Sequence, residues 1–457
     1  MTTSPTILSS AHAATPGTLP GLALCVLLSS YGASSANVAL PALQRASGAS
    51  FAAVQWIVLA YLLAATAAAV GAGRLGDMIG RRRVLLGGIA LFGAASGVCA
   101  LAPGLPVLVA GRALQGLGAA VMLSLGMALA AGGRQRDGTG RAMGLLGSMS
   151  AVGTALGPAL GGLLLAGPGW RALFAAMLPA ALLAFALARR LPPDAPARAA
   201  ARFDFAGLLL LVAALLAFAL ACTGASPAMR GALLGASALA GILFVRAQAR
   251  TQAPLVPLAL LRDPVLAPGF AMTALAMALM MATMLVGPFY LGRALGLSAG
   301  AVGATLAAGP LVAALAGVPA GRIVDRHGTR TAGAAGLAAM TLGACLLALL
   351  PLRTGVAGWI VPLAVLTAGY ALFQAANNTA VMDAAGDTRR GVVAGLANLA
   401  RQLGLIAGSA LLGAVFAPDA RGTAQDVAAA MHATFAVAAL LPLLALGASW
   451  LGRRARR

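Results

Sequence analysis

Lysine and glutamate are absent from this 457-residue sequence, so its 31 basic residues are all arginine and its 10 acidic residues are all aspartate. A Walker-type phosphate loop needs a lysine, and the missing residue argues against ATP as a partner. The four cysteines lie singly in apolar runs, and the three histidines are scattered. Their spacing predicts neither a metal site nor a disulfide framework, and no cofactor is expected.

Charged residues of any kind are scarce as well, at 9% of the chain against 61% hydrophobic residues. A soluble domain of this composition would lack the polar surface that keeps it in solution, which predicts an integral membrane protein surrounded by lipids. The formal net charge of +21 does not indicate a nucleic-acid partner. The arginines cluster in short segments between apolar runs, where they orient helices.

Long apolar runs define the fold class. A helix needs about 20 apolar residues to cross a bilayer, and the runs here are continuous, whereas the strands of a β-barrel would alternate. The sequence therefore predicts an all-α membrane protein with about fourteen transmembrane helices. The predicted spans are approximately residues 20–42, 53–73, 83–102, 105–131, 142–166, 170–190, 205–223, 230–248, 267–291, 299–320, 331–351, 358–382, 391–416 and 430–452.

Arginine positions predict the orientation of these spans. An even number of spans leaves both termini on one side, and 23 of the 31 arginines fall in segments on that side, against six on the other. The positive-inside rule then places both termini in the cytoplasm, with the protein in the plasma membrane. Residues 1–19 lack a positive segment and lead directly into the first span, so we expect a cytoplasmic tail and not a cleaved signal peptide.

Two stretches repeat each other with a constant offset, AGRLGDMIGRRR at 72–83 and AGRIVDRHGTRT at 320–331. A charged segment duplicated about half a chain apart is typical of a membrane protein built from two repeated halves. Placing each copy after the second helix of its half predicts six-helix halves over residues 1–190 and 267–457. Residues 191–266 then form a proline-containing linker and two inserted transmembrane helices.

The repeated segments are predicted to form tight cytoplasmic turns in which glycine permits the change of direction. In each turn an aspartate can face the positive N-terminus of a neighbouring helix, while arginines face lipid or the opposite half. We interpret the turns as a breakable cytoplasmic gate, and the alternative is a charge cluster that only fixes topology. The gate residues are Gly73, Asp77, Gly80, Arg81, Gly321, Asp325 and Gly328.

The fifth predicted span has a regular glycine pattern. Gly153, Gly157 and Gly161 recur every four residues, so they share one helix face that permits close contact with another helix. Gly162 follows directly, and Pro158 removes a backbone hydrogen bond beside this face. The pattern predicts a pliable, closely packed helix, with ordinary helix packing as the alternative.

Motifs spread over the whole chain resemble those of one family. GRLGDMIGRRR resembles the loop signature of the major facilitator superfamily, LVAGRALQGLGAA (108–120) its fourth-helix motif, and GTALGPALGG (153–162) its fifth-helix antiporter motif. NVALP (37–41), FDFAG (203–207) and NLARQLG (398–404) resemble segments of its fourteen-helix drug:proton antiporter branch.

This resemblance implies a secondary exporter and not an enzyme. Two halves would rock about a central cavity and move small amphiphilic compounds, drugs or metabolites, out of the cell by proton-coupled antiport, with the fifth helix sealing the outer gate. One alternative is a dedicated exporter of a single metabolite, such as an antibiotic or an amino-acid-like product. Another is a non-transporting membrane receptor or lipid-handling scaffold, because a fold does not fix a function.

Two arginines, Arg112 and Arg401, lie within predicted spans. Each costs about 2.5 to 3.5 kcal/mol at the centre of a helix in lipid, so both should face the protein interior or a watery cavity. We predict a proton or substrate pathway that includes Arg112, Gln115 and Arg401, with structural hydrogen bonding as the alternative. Further candidates for the cavity wall are polar residues of core helices: Asn37, Gln55, Tyr61, Gln374, Asn377, Asn378 and Gln402.

The ninth predicted span carries a stripe of methionines, Met277, Met280, Met281 and Met284. Such soft side chains would suit varied hydrophobic substrates. A stripe of this kind more often packs against neighbouring helices or contacts lipid, and we therefore do not count it among the site residues.

The acidic residue that the antiporter branch typically carries in its first helix is replaced here by Gly32. None of the aspartates falls near the middle of a predicted span, and arginine cannot release a proton in a protein. The candidates for proton coupling are then the rim residues Asp77, Asp325 and Asp383, or water held by Arg112. With arginine and no carboxylate inside the spans, we expect anionic, zwitterionic or neutral compounds to be exported better than organic dications.

Overall fold

The computed structural model describes residues 19–131, 136–192, 204–224, 226–251, 254–417 and 422–454. Every regular element within those ranges is helical, and none is a β-strand. Residues 1–18 of the predicted tail, which ran to residue 19, and residues 193–203 of the predicted linker lie outside the described part of the chain. The predicted all-α fold is confirmed.

Seven described helices precede the linker. They are α1 (Leu19–Ser47), α2 (Phe51–Ile79), α3 (Arg81–Leu101), α4 (Leu105–Ala131), α5 (Arg136–Ala166), α6 (Trp170–Ala175) and α7 (Met177–Ala188). Helices α6 and α7 are consecutive segments of one span. At the start of α2, the side chain of Ser50 accepts a hydrogen bond from the backbone N–H of Ala53, which satisfies one of the amide groups that a helix start leaves without a partner.

The helices after the linker begin with α8 (Phe205–Cys222) and α9 (Pro227–Arg250). The others are α10 (Leu266–Phe289), α11 (Ala299–Leu349), α12 (Ala357–Ala407), α13 (Gly413–Phe416), α14 (Ala424–Ala438) and α15 (Leu440–Arg454). Short 3-10 turns cover Leu258–Arg262 and Leu352–Thr354. Segments of π-helix continue α10 over Tyr290–Ala294 and α12 over Gly408–Leu412.

Thirteen helical segments of the described chain are long and apolar enough to cross a bilayer. One of them, α11, has 51 residues, which is about 76 Å of helix and more than twice the thickness of the hydrocarbon core. Gly328 interrupts α11 with φ 78° and ψ 160°, so two helices meet at this residue. Counting both parts gives about fourteen spans, in agreement with the sequence prediction.

The two repeated segments share one backbone feature. Gly80 has φ 106° between α2 and α3, and Gly328 has φ 78° within α11, a region that strongly favours glycine. The predicted extent of the turns is wrong, because α2 remains helical to Ile79 and both Gly73 and Gly321 are helical. Charged residues are excluded from lipid but do not break a helix, so each helix continues past the apolar run until a single glycine turns the chain.

Helices α1 to α7 pack against one another, and so do helices α10 to α15. We call them the N-terminal set and the C-terminal set. Helices α8 and α9, which we call the insert, pack mainly against each other, and α8 also contacts α2 and the π-helical segment of α12. We propose residues 190 and 266 as the boundaries between these units.

Candidate binding cavity

The two helix sets meet at one end of the bundle. We call the end that holds residues 48–50 and 295–298 the far end, and the end that holds Gly80 and Gly328 the motif end. Near the far end, α2 packs against α12 and its π-helical continuation, and α5 packs against the part of α11 before Gly328. These contacts determine where a cavity between the sets can open.

Gln55 joins the two sets near the far end. Its buried side chain, 1% exposed, donates hydrogen bonds to the backbone oxygen and to Oγ of Ser409 in the π-helical segment of α12. One helical turn earlier, the ring of Phe51 makes edge contacts with Phe289 and Phe416, with ring centroids 5.2 Å and 5.4 Å apart. Together the amide and the rings exclude water from this contact and close the far end.

Glycines bring α5 and α11 into close contact. A Cβ added to Gly162 of α5 would lie 2.7 Å from Cα of Gly303 in α11, and one added to Gly303 would collide with the backbone oxygen of Pro158. Neither position accepts a side chain unless the helices move apart. Pro158 and Gly162 of the fifth-helix motif therefore lie at a contact between the two sets.

The other three glycines of this motif face α1, within the N-terminal set. A Cβ at Gly157 or Gly161 would collide with Ser34 or Val38, and one at Gly153 would collide with the backbone of α1. These glycines permit the close packing of α1 on α5. The single motif thus supplies two different interfaces, one inside a set and one between sets.

A cavity of about 410 Å³ lies between the sets. Helices α1, α2, α4 and α5 form one wall, and helices α10, α11 and α12 form the other. Toward the motif end a Cβ added to Gly147 of α5, which lines the cavity, would meet no atom within 4 Å, and the same holds for Gly317 and Gly321 of α11. The contacts between the sets thus close the cavity at the far end, and we interpret the open space beside Gly147 as access from the motif end.

Several predicted site residues lie on the cavity wall. They are Asn37, Tyr61, Gln374, Arg401 and Gln402. The wall of the N-terminal set also carries small hydroxyl groups, among them those of Ser30 and Ser150, whose oxygens lie 2.8 Å apart. Among the described lining residues, Arg401 is the only charged side chain.

Other predicted residues lie away from the wall, which corrects the sequence prediction. Gln55 is used in the far-end contact. Asn377 is buried and donates a hydrogen bond of 2.9 Å to Thr273 of α10, and Asn378 is exposed outside the cavity. Gln115 is buried and bonded to Arg112. A polar side chain in a span needs a partner, but a neighbouring helix satisfies that need as well as a watery cavity does.

Arg112 is fully buried in α4 behind the cavity wall. Its Nε donates to the backbone oxygen of Ile57 at 3.0 Å, and its Nη1 donates to that of Gly32 at 2.9 Å and to Oε1 of Gln115. The guanidinium carbon lies 4.2 Å from the ring centroid of Tyr61, which lines the cavity. Arg112 therefore links α1, α2 and α4 by structural hydrogen bonds, and the predicted pathway through Arg112, Gln115 and Arg401 is not one continuous wall.

Gly32 stands where the resemblance to the antiporter branch led us to expect an acidic residue, and its backbone oxygen offers Arg112 a neutral acceptor. A Cβ at Gly32 would lie 3.1 Å from the ring of Phe92 and 3.5 Å from the hydroxyl of Tyr61. The position is thus enclosed by side chains, and the lining residues do not include it. An added side chain at residue 32 would contact these rings before it reached the cavity.

Arg401 lies half-buried on α12, beside Asn398 and Gln402 on the cavity wall. Its Nη1 donates a hydrogen bond of 3.2 Å to the hydroxyl of Tyr370. That hydroxyl donates in turn to the sulfur of Met277 at 3.0 Å. In the described part of the chain no carboxylate pairs with the Arg401 guanidinium.

The methionine stripe lines the cavity, although the sequence analysis favoured packing or lipid contact for it and left it out of the site residues. Met277, Met280, Met281 and Met284 of α10 all line it. Their helical spacing was a usable signal, but spacing does not show whether the stripe faces lipid, a neighbouring helix or a cavity. Tyr370 was missed for the same reason.

At the motif end, Asp77 and Arg81 form an ion pair of 2.9 Å across the Gly80 turn. Both side chains are well exposed, Asp77 at 57% and Arg81 at 43%. In the second copy of the repeat, Thr329 occupies the position of Arg81, so Asp325 has no equivalent arginine. Asp77 thus pairs within its own turn in this conformation.

A sequence profile of the Major Facilitator Superfamily matches residues 22–409, which is most of the chain. The chain belongs to the Major Facilitator Superfamily. Members of this family are membrane transporters, and the cavity between two helix sets is the candidate substrate site of this one.

Relatives within the superfamily extend over most of the chain. The sequence is 33% identical over 385 residues to "Uncharacterized transporter YebQ" of Escherichia coli (strain K12), covering 82% of this chain and 84% of the relative. It is 31% identical over 387 residues to "Multidrug resistance protein Stp" of Mycobacterium tuberculosis (strain ATCC 25618 / H37Rv), covering 83% and 72%. It is 26% identical over 394 residues to "Riboflavin transporter RibZ" of Clostridioides difficile (strain 630), covering 86% of each.

Solved structures of transporters share the fold. The crystal structure of the peptide transporter POT superposes with a TM-score of 0.71 at 15% identity and covers 95% of each chain. At this identity the similarity shows the Major Facilitator fold alone. The resemblance deduced from the sequence motifs, including the likeness to drug efflux proteins of the superfamily, is confirmed.

Proposed function

We propose that this chain is a secondary active exporter that moves small amphiphilic compounds out of the cell by alternating access, in exchange for protons. The observation that carries the proposal is the cavity between the two helix sets, closed at the far end and accessible from the motif end. Rocking of the sets against each other would expose such a cavity to one side of the membrane at a time. Its volume of about 410 Å³ lies in the range of small-molecule sites.

We propose that the motif end and both termini face the cytoplasm, with the protein in the plasma membrane. The excess of arginine in segments on that side supports this orientation. The conformation described here is then open to the cytoplasm and ready to load a compound for export. In this scheme the two halves comprise residues 1–190 and 267–457, and residues 191–266 form the linker and the insert.

Closure of the motif end would bring the two repeated turns toward each other. Gly73 and Gly321 support this step, since neither would place an added Cβ within 4 Å of another atom and both leave room for approach. Asp77 and Asp325 occupy matching positions and are exposed. An aspartate released from a partner such as Arg81 can stabilise the positive N-terminus of a facing helix.

The residue that carries the proton must lie outside the cavity wall, because the described lining residues include no carboxylate. Asp77, Asp325 and Asp383 are exposed aspartates toward the motif end, and we propose them as the candidate proton carriers. Arg112 is a weaker candidate for holding water, since two of its nitrogens bond backbone oxygens of neighbouring helices.

Everted membrane vesicles energised by an imposed pH gradient test the export proposal. Radiolabelled chloramphenicol and norfloxacin, one neutral and one zwitterionic, should accumulate in vesicles that contain the chain and not in vesicles that lack it. A protonophore should abolish the accumulation. Accumulation that persists with the protonophore would contradict proton exchange. If vesicles with and without the chain accumulate the compounds equally, export itself is contradicted.

A second candidate is a transporter dedicated to a single metabolite. The 26% identity to a protein named riboflavin transporter, which spans 86% of both chains, favours this candidate. Competition separates the two functions. Flux of one labelled compound that several unrelated amphiphiles inhibit supports a multidrug exporter, whereas flux that only close analogues inhibit supports the dedicated transporter.

A further inference from the structure

We propose that the cavity binds amphiphiles that carry one anionic group, with the anion on Arg401 and the apolar body along the methionine stripe of α10. This inference rests on the proposed function and narrows its substrate class. Arg401 is the only charged side chain among the described lining residues, and no described carboxylate pairs with it. A ligand is therefore the natural source of the missing negative charge.

The geometry of Arg401 suits a carboxylate, sulfonate or phosphate group. A guanidinium is a planar fork that binds such oxygens through two parallel hydrogen bonds. Tyr370 accepts one hydrogen bond of 3.2 Å from Nη1 and so orients the fork. The described contacts engage none of the other donors of this guanidinium, while Asn398 and Gln402 provide further polar groups on the same wall.

The apolar part of the site begins directly beside this arginine. The hydroxyl of Tyr370, which accepts from Arg401, donates to the sulfur of Met277 at 3.0 Å. Met280, Met281 and Met284 extend the apolar surface along α10. Methionine side chains are flexible and polarisable, so they accommodate bodies of different shape. One chain of hydrogen bonds, from Arg401 through Tyr370 to Met277, thus joins the group that would bind the anion to the apolar surface that would bind the body of the ligand.

The other buried arginine does not compete for the ligand. Two nitrogens of Arg112 bond backbone oxygens or Gln115. Arg112 is fully buried and is not a lining residue, and its guanidinium stacks on the ring of Tyr61, which does line the cavity. The opposite wall is neutral and carries hydroxyl groups such as those of Ser30 and Thr154. Closing the cavity around a cation would leave two positive charges in a dry space, which is strongly unfavourable.

Three probes with one apolar body test the inference: pyrenebutyrate, pyrenebutanol and pyrenebutyl-trimethylammonium. Their binding to the full-length protein in phosphatidylcholine nanodiscs is measured by fluorescence, with empty nanodiscs subtracted. The anion should bind about tenfold or more tightly than the cation. Arg401→Gln should remove most of this preference and leave pyrenebutanol binding unchanged, while Arg401→Lys should retain part of it, because lysine keeps the charge but lacks the fork.

Arg353→Gln is the matched control, since it removes an exposed arginine far from the cavity wall and should change nothing. Equal affinity for the anion and the cation in the wild-type protein overturns the inference, and so does an unchanged preference in Arg401→Gln. If Arg401→Gln does not fold, the ratio of anion to cation affinity in the wild-type protein tests the inference by itself. Chain-dependent export without charge preference contradicts only this inference, whereas anion binding without any export contradicts the proposed function and leaves the site intact.

Discussion

Gln55 of α2 donates a hydrogen bond to the backbone oxygen of Ser409, which belongs to the opposite helix set. Ser409 lies within the π-helical segment Gly408–Leu412, and its backbone oxygen also accepts from the backbone N–H of Gly413. The side chain of Gln55 is buried, and the rings of Phe51 and Phe416 pack one turn away. A buried polar bond between the sets thus stabilises the closed far end.

Gln55→Leu should therefore favour opening of the far end. The substitution removes a buried hydrogen bond between the sets, although the backbone oxygen of Ser409 still accepts from the backbone N–H of Gly413. Loss of one such bond costs about 0.5 to 1.5 kcal/mol and shifts the conformational equilibrium by about twofold or more. The measurement is labelling of Asn37→Cys, a cavity position, by an impermeant maleimide added outside intact cells, in a chain without its four native cysteines. Labelling should rise in the Gln55→Leu variant.

Gln44→Leu provides the control for this experiment. Gln44 is also a buried glutamine, on α1, and its Nε2 has no hydrogen-bond partner in the described structure. Its replacement should leave labelling at the starting level. Equal labelling in both variants would show that the bond to Ser409 does not hold the far end closed.

The role of Gln55 could not be predicted from the sequence. A polar residue within a span signals that a partner exists, and the sequence prediction assigned that partner to the cavity. The structure instead assigns Gln55 to a contact between helix sets and Asn377 to a contact with α10. The orientation of a helix about its own axis decides between these outcomes, and 61% hydrophobic composition leaves almost no polar face from which to derive it.

The repeated turns were predictable to a greater degree. The aligned glycines Gly80 and Gly328 both have positive φ, because duplicated sequence carries the same local requirement to both places. The contact of Gly162 with Gly303 was not predictable, since it joins residues of different sets and depends on how the sets approach. Local conformation follows from local sequence, while contacts between sets depend on the conformational state as well.

Gly303→Ala should prevent full closure of the far end. The added methyl group would collide with the backbone of Pro158 and Gly162 in α5, so we expect transport to be lost while the separate sets still fold. Gly317→Ala is the matched control on the same helix, because its Cβ would meet no atom within 4 Å. Vesicle transport and thermal unfolding measure the two effects. Full transport in Gly303→Ala would show that α5 and α11 need not touch during the cycle.

Asp77→Asn should reduce transport more than Arg81→Gln does. Both variants break the same exposed ion pair, which contributes little to stability because solvent screens it. Only the first removes the carboxylate that is proposed to stabilise a facing helix when the motif end closes. Neither should change the unfolding temperature. Equal transport in the two variants would reduce the role of Asp77 to the ion pair itself.

Asp204 should be essential to the stability of the insert. Its Oδ1 caps α8 by accepting from the backbone N–H of Gly207 at 2.8 Å, and its Oδ2 accepts from Nε2 of Gln248 in α9 at 2.6 Å. The other end of that amide is fixed, because Oε1 of Gln248 accepts from the backbone N–H of Val256. Residue 204 must therefore supply two acceptors, one for the helix start and one for Gln248.

Asp204→Ala should then lower the free energy of unfolding by about 2 kcal/mol or more, because it leaves two buried donors without acceptors. The stability of Asp204→Asn should lie between those of the wild-type protein and Asp204→Ala. Its amide oxygen still caps α8, but its NH₂ group would face Nε2 of Gln248, so two donors would meet. Ser226→Ala removes a cap of α9 that is exposed and long, at 3.4 Å, and should cost far less. Thermal unfolding of the purified chain in detergent ranks the variants, and an Asp204→Ala protein no less stable than Ser226→Ala would show that Asp204 does not hold α8 and α9 together.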